Sequence, residues 1–207
     1  MPTRLYIVRH GESTWNALNK IQGSSDIELT EMGLMQARML SKRLRTEKID
    51  AIYSSDLKRA YLTASIIANE LNLDVKKLPE LREIAFGVWE GLTVNEIQNL
   101  YKDIYDLWRT NPVKAIIEGA ETLKDVQNRI LNGTYKLIEK YKNKNILIVS
   151  HGTSIKSLIL GLLGLDLSYY PKIRQDNTAL NIVDIKDDGN AVLVLLNDTC
   201  HLRSENN

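Results

Sequence analysis

Two of the three histidines in this 207-residue chain stand in the same local setting. Leu5 to Arg9 runs into His10-Gly11, and Ile146 to Ser150 runs into His151-Gly152. Each run is short and rich in apolar, β-branched residues, and a glycine follows it, which is the pattern of a buried strand ending in a turn. Both imidazoles are therefore expected at strand C-terminal ends, the edge of an open α/β sheet where ligands bind. Arginines attend them. Arg9 precedes His10, and Arg59 opens the helix after the strand end Ser54-Ser55-Asp56. A guanidinium offers a planar fork of donors that matches phosphate oxygens, and the amides of helices starting near Gly152 and Arg59 would add dipolar attraction. Two guanidiniums and two imidazoles at one edge make a phosphate pocket. The same positive surroundings hold His10, whose unperturbed pKa is about 6.5, in its neutral form. A neutral histidine among fixed cations is a nucleophile for phosphoryl transfer.

Such a transfer also needs a proton for the departing alkoxide. Glu83, between the Pro79 turn and Gly87, can enter the site from a loop. A bound phosphate favours the protonated form of a nearby carboxyl, so Glu83 would act first as acid and then as base toward water. Glu12 and Glu90 are the competing carboxylates. No metal and no cofactor are expected. A two-histidine metal site would lack helical His-Glu spacing and would set two arginines against a cation. Asp187-Asp188, followed by Gly189-Asn190, reads as solvated turn chemistry. His201 reads as a hydrogen-bonded structural residue and Cys200 as an inert thiol.

The elements that must carry these groups alternate along the chain. After Leu5 to Arg9 a polar loop leads to Thr30, an N-cap for a helix to about Arg45 with Leu34, Ala37, Leu40 and Leu44 on one stripe. Ala51 to Ser54 is a short strand. Ala60, Ala64, Ile67 and Leu71 repeat at helical spacing, and Asp74 to Leu78 is an edge strand closed by Pro79. Thr122 to Asp125 has the form of a capping box, opening a long helix with Val126, Ile130, Leu137, Ile138 and Tyr141 buried. Gly152 to Leu163 reads as an inner helix, and Ala179 to Ile185 with Ala191 to Leu196 as a hairpin. Helices between strands imply crossovers, hence an α/β class: a three-layer α/β/α sandwich with a mostly parallel central sheet. Residues 89–119, bearing Trp89, Tyr101, Tyr105 and Trp108, form a helical excursion that is either packing or a lid over the site.

The length fits one domain, 1–207, with that excursion inside it. Lys and Arg total 27 against 26 acidic residues, a net charge of +1, which gives no polyanion track. The expected partner is a small phosphorylated molecule, with no nucleic acid and no membrane, and a homodimer is left open. A single cysteine and the absence of a leader pattern or apolar span point to the cytoplasm.

Arg9-His10-Gly11-Glu12-Ser13-Thr14-Trp15-Asn16 resembles the signature of the histidine phosphatase superfamily, the phosphoglycerate-mutase-like fold. The resemblance continues through Gly23, Leu29-Thr30 with Gly33 and Ala37, Ser54-Ser55-Asp56-Leu57 with Arg59-Ala60, Leu81-Arg82-Glu83, Gly119 with Glu121, and Ser150-His151-Gly152. It implies that His10 becomes a phosphohistidine, that Arg9, Arg59 and His151 hold the phosphoryl group, and that Glu83 donates the proton. Asn16, Gln22, Gly23 and Gly152 are the further phosphate-binding positions it implies. Phe86-Gly87-Val88-Trp89-Glu90-Gly91 resembles the phosphatase branch, whereas the glycolytic mutases carry tyrosine at the position of Phe86 and a longer excursion with paired arginines. Here Arg109 and Lys114 are not adjacent. The expected activity is a metal-independent phosphomonoesterase for a small metabolite, α-ribazole phosphate being one substrate the resemblance offers. A cofactor-dependent phosphoglycerate mutase and a non-catalytic phosphate-binding module are the alternatives.

Overall fold

In β1 (Thr3–Arg9) and β4 (Asn145–Ser150) adjacent residues face opposite sides of the sheet, and both sides are apolar. Leu5, Ile7, Ile146 and Ile148 pack against α6 (Leu123–Lys140) and α7 (Gly152–Leu162) through Ile130, Leu137, Ile155 and Leu158. Tyr6, Val8, Leu147 and Val149 pack the other way, against Leu40, Leu44, Ala64 and Ile67 of α2 (Glu31–Leu44) and α3 (Lys58–Leu71). A strand covered on both faces reads as a continuous apolar run, which is why period-two alternation is missing from these segments. The computed structural model describes residues 1–203.

With β2 (Ala51–Ser54), β3 (Val75–Lys77), β5 (Leu180–Ile185) and β6 (Ala191–Asp198), the sheet has the order β3-β2-β4-β1-β5-β6. β3, β2, β4 and β1 are parallel neighbours, and β5 runs antiparallel to both β1 and β6. The architecture is the mostly parallel α/β/α sandwich expected. β1 feeds toward α2 on one face and β4 into α7 on the other, so a crevice opens between these adjacent strands at their C-terminal ends. Arg9 pairs in register with Ser150, and the His10 N–H donates to the Ser150 carbonyl at 3.0 Å. His10 and His151 therefore leave the sheet side by side.

Two details depart from the sequence reading. The stretch before Thr30 holds a short helix, α1 (Thr14–Ala17), fastened by a reciprocal Ser13–Asn16 capping box. None of its residues is buried, so it has no apolar stripe to reveal it. β3 is shorter than Asp74 to Leu78. The excursion contains α4 (Val94–Leu100) and α5 (Lys102–Thr110), and its neck is closed by a bridge between Phe86 and Ala120. Phe86, Trp89, Ile97, Ile117, Leu160 and Tyr170 form a third core beneath it. Among the described residues no helix is long and apolar enough to cross a membrane.

Candidate active site

His10 is 2% exposed, and its Nδ1 lies 2.7 Å from the Gly11 carbonyl oxygen. A carbonyl oxygen only accepts, so Nδ1 carries the hydrogen and Nε2 presents its lone pair. Burial, then Arg59 and Arg9, hold the imidazole pKa well below its usual value. The imidazole is thus neutral, with its tautomer fixed. The turn that carries it presses on α2: a Cβ on Gly33 would come within 2.0 Å of the Glu12 carbonyl oxygen. Only glycine allows that approach.

Both arginines are gripped through their terminal nitrogens. Arg59 donates to the carbonyls of Ser25 and Gly23 at 2.6 and 2.8 Å, and Arg9 donates to the Gln175 carbonyl at 2.6 Å. Neutral acceptors leave their charges uncompensated, and burial pushes the Arg59 pKa down to about 10 and lowers that of Arg9. The loop that grips Arg59 is itself pinned by Glu90. That carboxylate accepts from Ser24 N, Ser24 Oγ and Phe86 N through Oε1, and from Ser25 Oγ at 2.9 Å through Oε2. Gly23 has a φ of 52°, and a Cβ there would lie 2.1 Å from Glu90 Oε1.

His151 is fully buried, its ring centroid 5.1 Å from that of His10. Its Nε2 lies 2.8 Å from Ser55 Oγ, and its Nδ1 has no partner. Burial first, then Arg59, His10 and Arg9, push its pKa well down. The Nε atoms of Arg9 and Arg59 are likewise buried without an acceptor. Three nitrogens on the residues around His10 are thus left without a partner, two guanidinium N–H groups and one imidazole nitrogen, and buried polar groups are rarely left so.

Glu83 Oε1 accepts from Ile84 N, Ser154 N and Ser154 Oγ, and Oε2 accepts from Thr153 N at 3.1 Å. This narrows the expectation that helix amides face the phosphate. The Thr153 and Ser154 amides at the start of α7 are held by Glu83, and the first amide of α3, at Lys58, by Asp26 Oδ1 at 2.7 Å. The same dipolar attraction acts, with protein carboxylates as the anions. Arg129 sets the segment bearing Glu83 by donating to the Glu80 and Arg82 carbonyls, both at 2.9 Å.

A family model for the histidine phosphatase superfamily, branch 1, matches residues 5–199. The chain belongs to that superfamily. Phosphoserine phosphatase 1 of Hydrogenobacter thermophilus is 37% identical over 199 residues, covering 96% of this chain and 94% of that protein. A Yersinia pestis chain named "probable phosphoglycerate mutase GpmB" is 34% identical, with 96% and 94% covered. The solved phosphoserine phosphatase of Entamoeba histolytica in complex with 3-phosphoglyceric acid superposes with a TM-score of 0.87 at 35% identity, covering 97% of this chain and all of the other.

In this histidine phosphatase the remaining expected positions lie around the same turn. Asn16 Oδ1 accepts from Ser13 N and from Asn177 Nδ2, both at 3.2 Å, leaving its own amide hydrogens to donate. Gln22 is buried and accepts from Ser13 Oγ at 2.8 Å, and Gly152 begins α7 with Arg9 Nε and Glu83 Oε2 near its Cα. The competitors of Glu83 are occupied elsewhere, Glu90 in the loop clamp and Glu12 with Thr30 Oγ1 at 2.8 Å. The sequence reading missed Asn177, whose Nδ2 donates to the His10 carbonyl at 3.0 Å, and Thr63, whose Oγ1 accepts from the Gly11 amide at 3.0 Å. It also missed Gln175, Tyr170 and the role of Ser55. Only Ser55, inside a quoted block, carried a signal. His201, between Arg43 and Thr178, keeps a structural place. Cys200 is exposed and unpaired.

Proposed function

We propose that this enzyme hydrolyses small phosphomonoesters without a metal, through a phosphohistidine on His10 Nε2. The observation that carries the reading is the fixed Nε2 lone pair of His10 among three buried nitrogens that lack partners. In the first step Nε2 attacks phosphorus, the N–P bond forms and the P–O ester bond breaks, and the alkoxide leaves with a proton from Glu83. Oε2 carries one of the four protein bonds to that carboxyl, so it is the oxygen with room for the proton. In the second step water attacks phosphorus, Glu83 takes the water proton, and the N–P bond breaks to free His10. Arg9, Arg59, His151, Asn16, Gln22 and the amides of Gly23 and Gly152 are the groups we assign to the phosphoryl oxygens. Fixed donors aimed at a transferring phosphoryl group are where catalysis of this kind gains most.

The names of the relatives support small phosphorylated metabolites as substrates, phosphoserine among them. α-Ribazole phosphate keeps its support by resemblance but loses that of the aromatic excursion. Trp108 packs edge-on against Phe86, Trp89 and Tyr170, so those rings are occupied with one another. The GpmB relative keeps the mutase reading in view, and product analysis separates the two: free phosphate for a hydrolase, a moved phosphoryl group for a mutase.

The test is pre-steady-state hydrolysis of p-nitrophenyl phosphate alongside an alkyl phosphate. Wild-type enzyme should yield an acid-labile phosphoenzyme that is absent in His10→Ala. Glu83→Gln should keep a burst of nitrophenolate followed by slow turnover, while alkyl phosphates lose about 10² to 10⁴ in rate at the first step. Phosphate trapped on a residue other than His10, or equal slowing of phosphorylation for both esters, would overturn the assignments.

A further inference from the structure

Lys156 lies one turn into α7, on the face that also carries Gly152 and Thr153, four and three residues earlier. Its Nζ stands 4.2 Å from the centroid of the Tyr170 ring. The Tyr170 hydroxyl is 3.0 Å from Thr153 Oγ1, and the Thr153 amide donates to Glu83 Oε2. Lys156 thus stands at the end of a chain of contacts that begins at the proposed proton donor. Among the described residues it makes no ion pair and no hydrogen bond, although it is partly buried. Glu83 from its loop draws it toward the charged form, while burial, Arg9 at the end of β1 and Arg109 on α5 oppose that, and the balance leaves its pKa at about 8. A partly buried ammonium without a counter-ion is better satisfied when a ligand supplies one.

We propose that Lys156 is the specificity-determining cation of this site and takes a carboxylate carried by the leaving group of the substrate. The inference rests on the phosphomonoesterase reading above and narrows its substrate class to phosphorylated hydroxy acids. Arg9 and Arg59 already face the reacting phosphoryl group, so Lys156 is free for a second anion on the Glu83 side, where the leaving group departs. The cation sits over an aromatic face and makes a point contact, which suits a singly charged carboxylate. A second phosphate is better matched by a guanidinium fork.

The test compares 3-phosphoglycerate with glycerol 3-phosphate, which has a hydroxymethyl group in place of the carboxylate, and uses p-nitrophenyl phosphate as the measure of basal turnover. Wild-type enzyme should prefer 3-phosphoglycerate. Lys156→Met, which keeps an unbranched apolar stem over Tyr170, should lower kcat/KM for 3-phosphoglycerate by about 10- to 100-fold, mostly through KM, the size expected for a lost hydrogen bond to a charged group. The other two esters should change by about 2-fold or less, and Lys156→Arg should recover most of the preference. The wild-type ratio of kcat/KM for the two glycerol-skeleton esters should fall as pH rises through about 8, because the ammonium loses its charge there. Burial keeps the Tyr170 hydroxyl neutral over that range, so it does not produce that limb. Equal loss on all three esters would place Lys156 on the reacting phosphate and overturn the proposal. So would a wild-type enzyme indifferent to the carboxylate, or a loss confined to a bisphosphate. An enzyme that hydrolyses none of them, p-nitrophenyl phosphate included, would instead sink the phosphomonoesterase reading.

Discussion

Burying two neutral imidazoles beside two arginines should make this enzyme acid-sensitive by a calculable amount. In the unfolded chain each histidine takes up a proton near about pH 6.5, whereas in the folded enzyme burial and the arginines hold the pKa of His10 and His151 well below that. Below about pH 6.5 the unfolded state therefore binds more protons than the folded one, and stability falls with pH until the folded values are reached. Each histidine contributes up to about 1.4 kcal/mol per pH unit, which integrates to about 2 kcal/mol at about pH 5. The pair together removes about 4 kcal/mol, a large part of a typical domain stability of about 5–15 kcal/mol. His201, half-exposed and pushed down to about 4, adds a smaller loss of the same sign. The assay is urea unfolding at several pH values between about 5 and 7, on wild type and on His10→Asn. Carboxylate titrations are nearly common to both, so the difference in slope isolates His10, and averaged over that range the variant should be shallower by about 1 kcal/mol per pH unit. Parallel curves would mean that His10 ionises as easily in the folded enzyme as in the unfolded chain. The argument for a neutral resting nucleophile would then fail.

Glu90→Ala should release the loop 23–25 and with it the two carbonyls that hold Arg59, raising the inhibition constant for inorganic phosphate by about 10-fold, while Glu90→Gln, which keeps an acceptor oxygen, should recover part of it. An unchanged inhibition constant in Glu90→Ala would show that Arg59 does not depend on the clamp. Dialysis against EDTA should leave hydrolysis of p-nitrophenyl phosphate intact, because the arginines supply the charge that a divalent ion would provide. Loss of activity that returns with added magnesium would refute this.

Where a residue's contribution follows from its own chemistry and its position on a strand, the sequence was sufficient. His10 and His151 could be paired because each ends an apolar strand, and parallel neighbours deliver such ends to one edge. The glycines at 11 and 33 were legible as a motif, although their physical reason, backbone passing against backbone, needs the packed turn. What stayed hidden is held by partners that leave no mark in the sequence. Arg59 is aimed by two carbonyls, Asn177 by the carbonyl of His10, and every residue type carries the same carbonyl. Lys156 and Tyr170 meet across α7 and a 3-10 turn too short to show a period.

The misplaced helix amides teach something different, because the rule behind that expectation was sound. A helix N-terminus attracts whichever anion reaches it, and in the folded chain Glu83 and Asp26 are already within bonding distance of those amides. Sequence position names the donor; only the packed structure names the competitor. With the Thr153 and Ser154 amides engaged by Glu83, the proposed mechanism leaves most of the attraction for a phosphoryl group to side chains, Arg9, Arg59 and His151, each with a buried nitrogen that lacks a partner. The same engagement fixes the Glu83 carboxylate against the start of α7. On the proposed mechanism the helix start therefore aims the carboxyl at the leaving group and leaves the phosphate chiefly to the arginines.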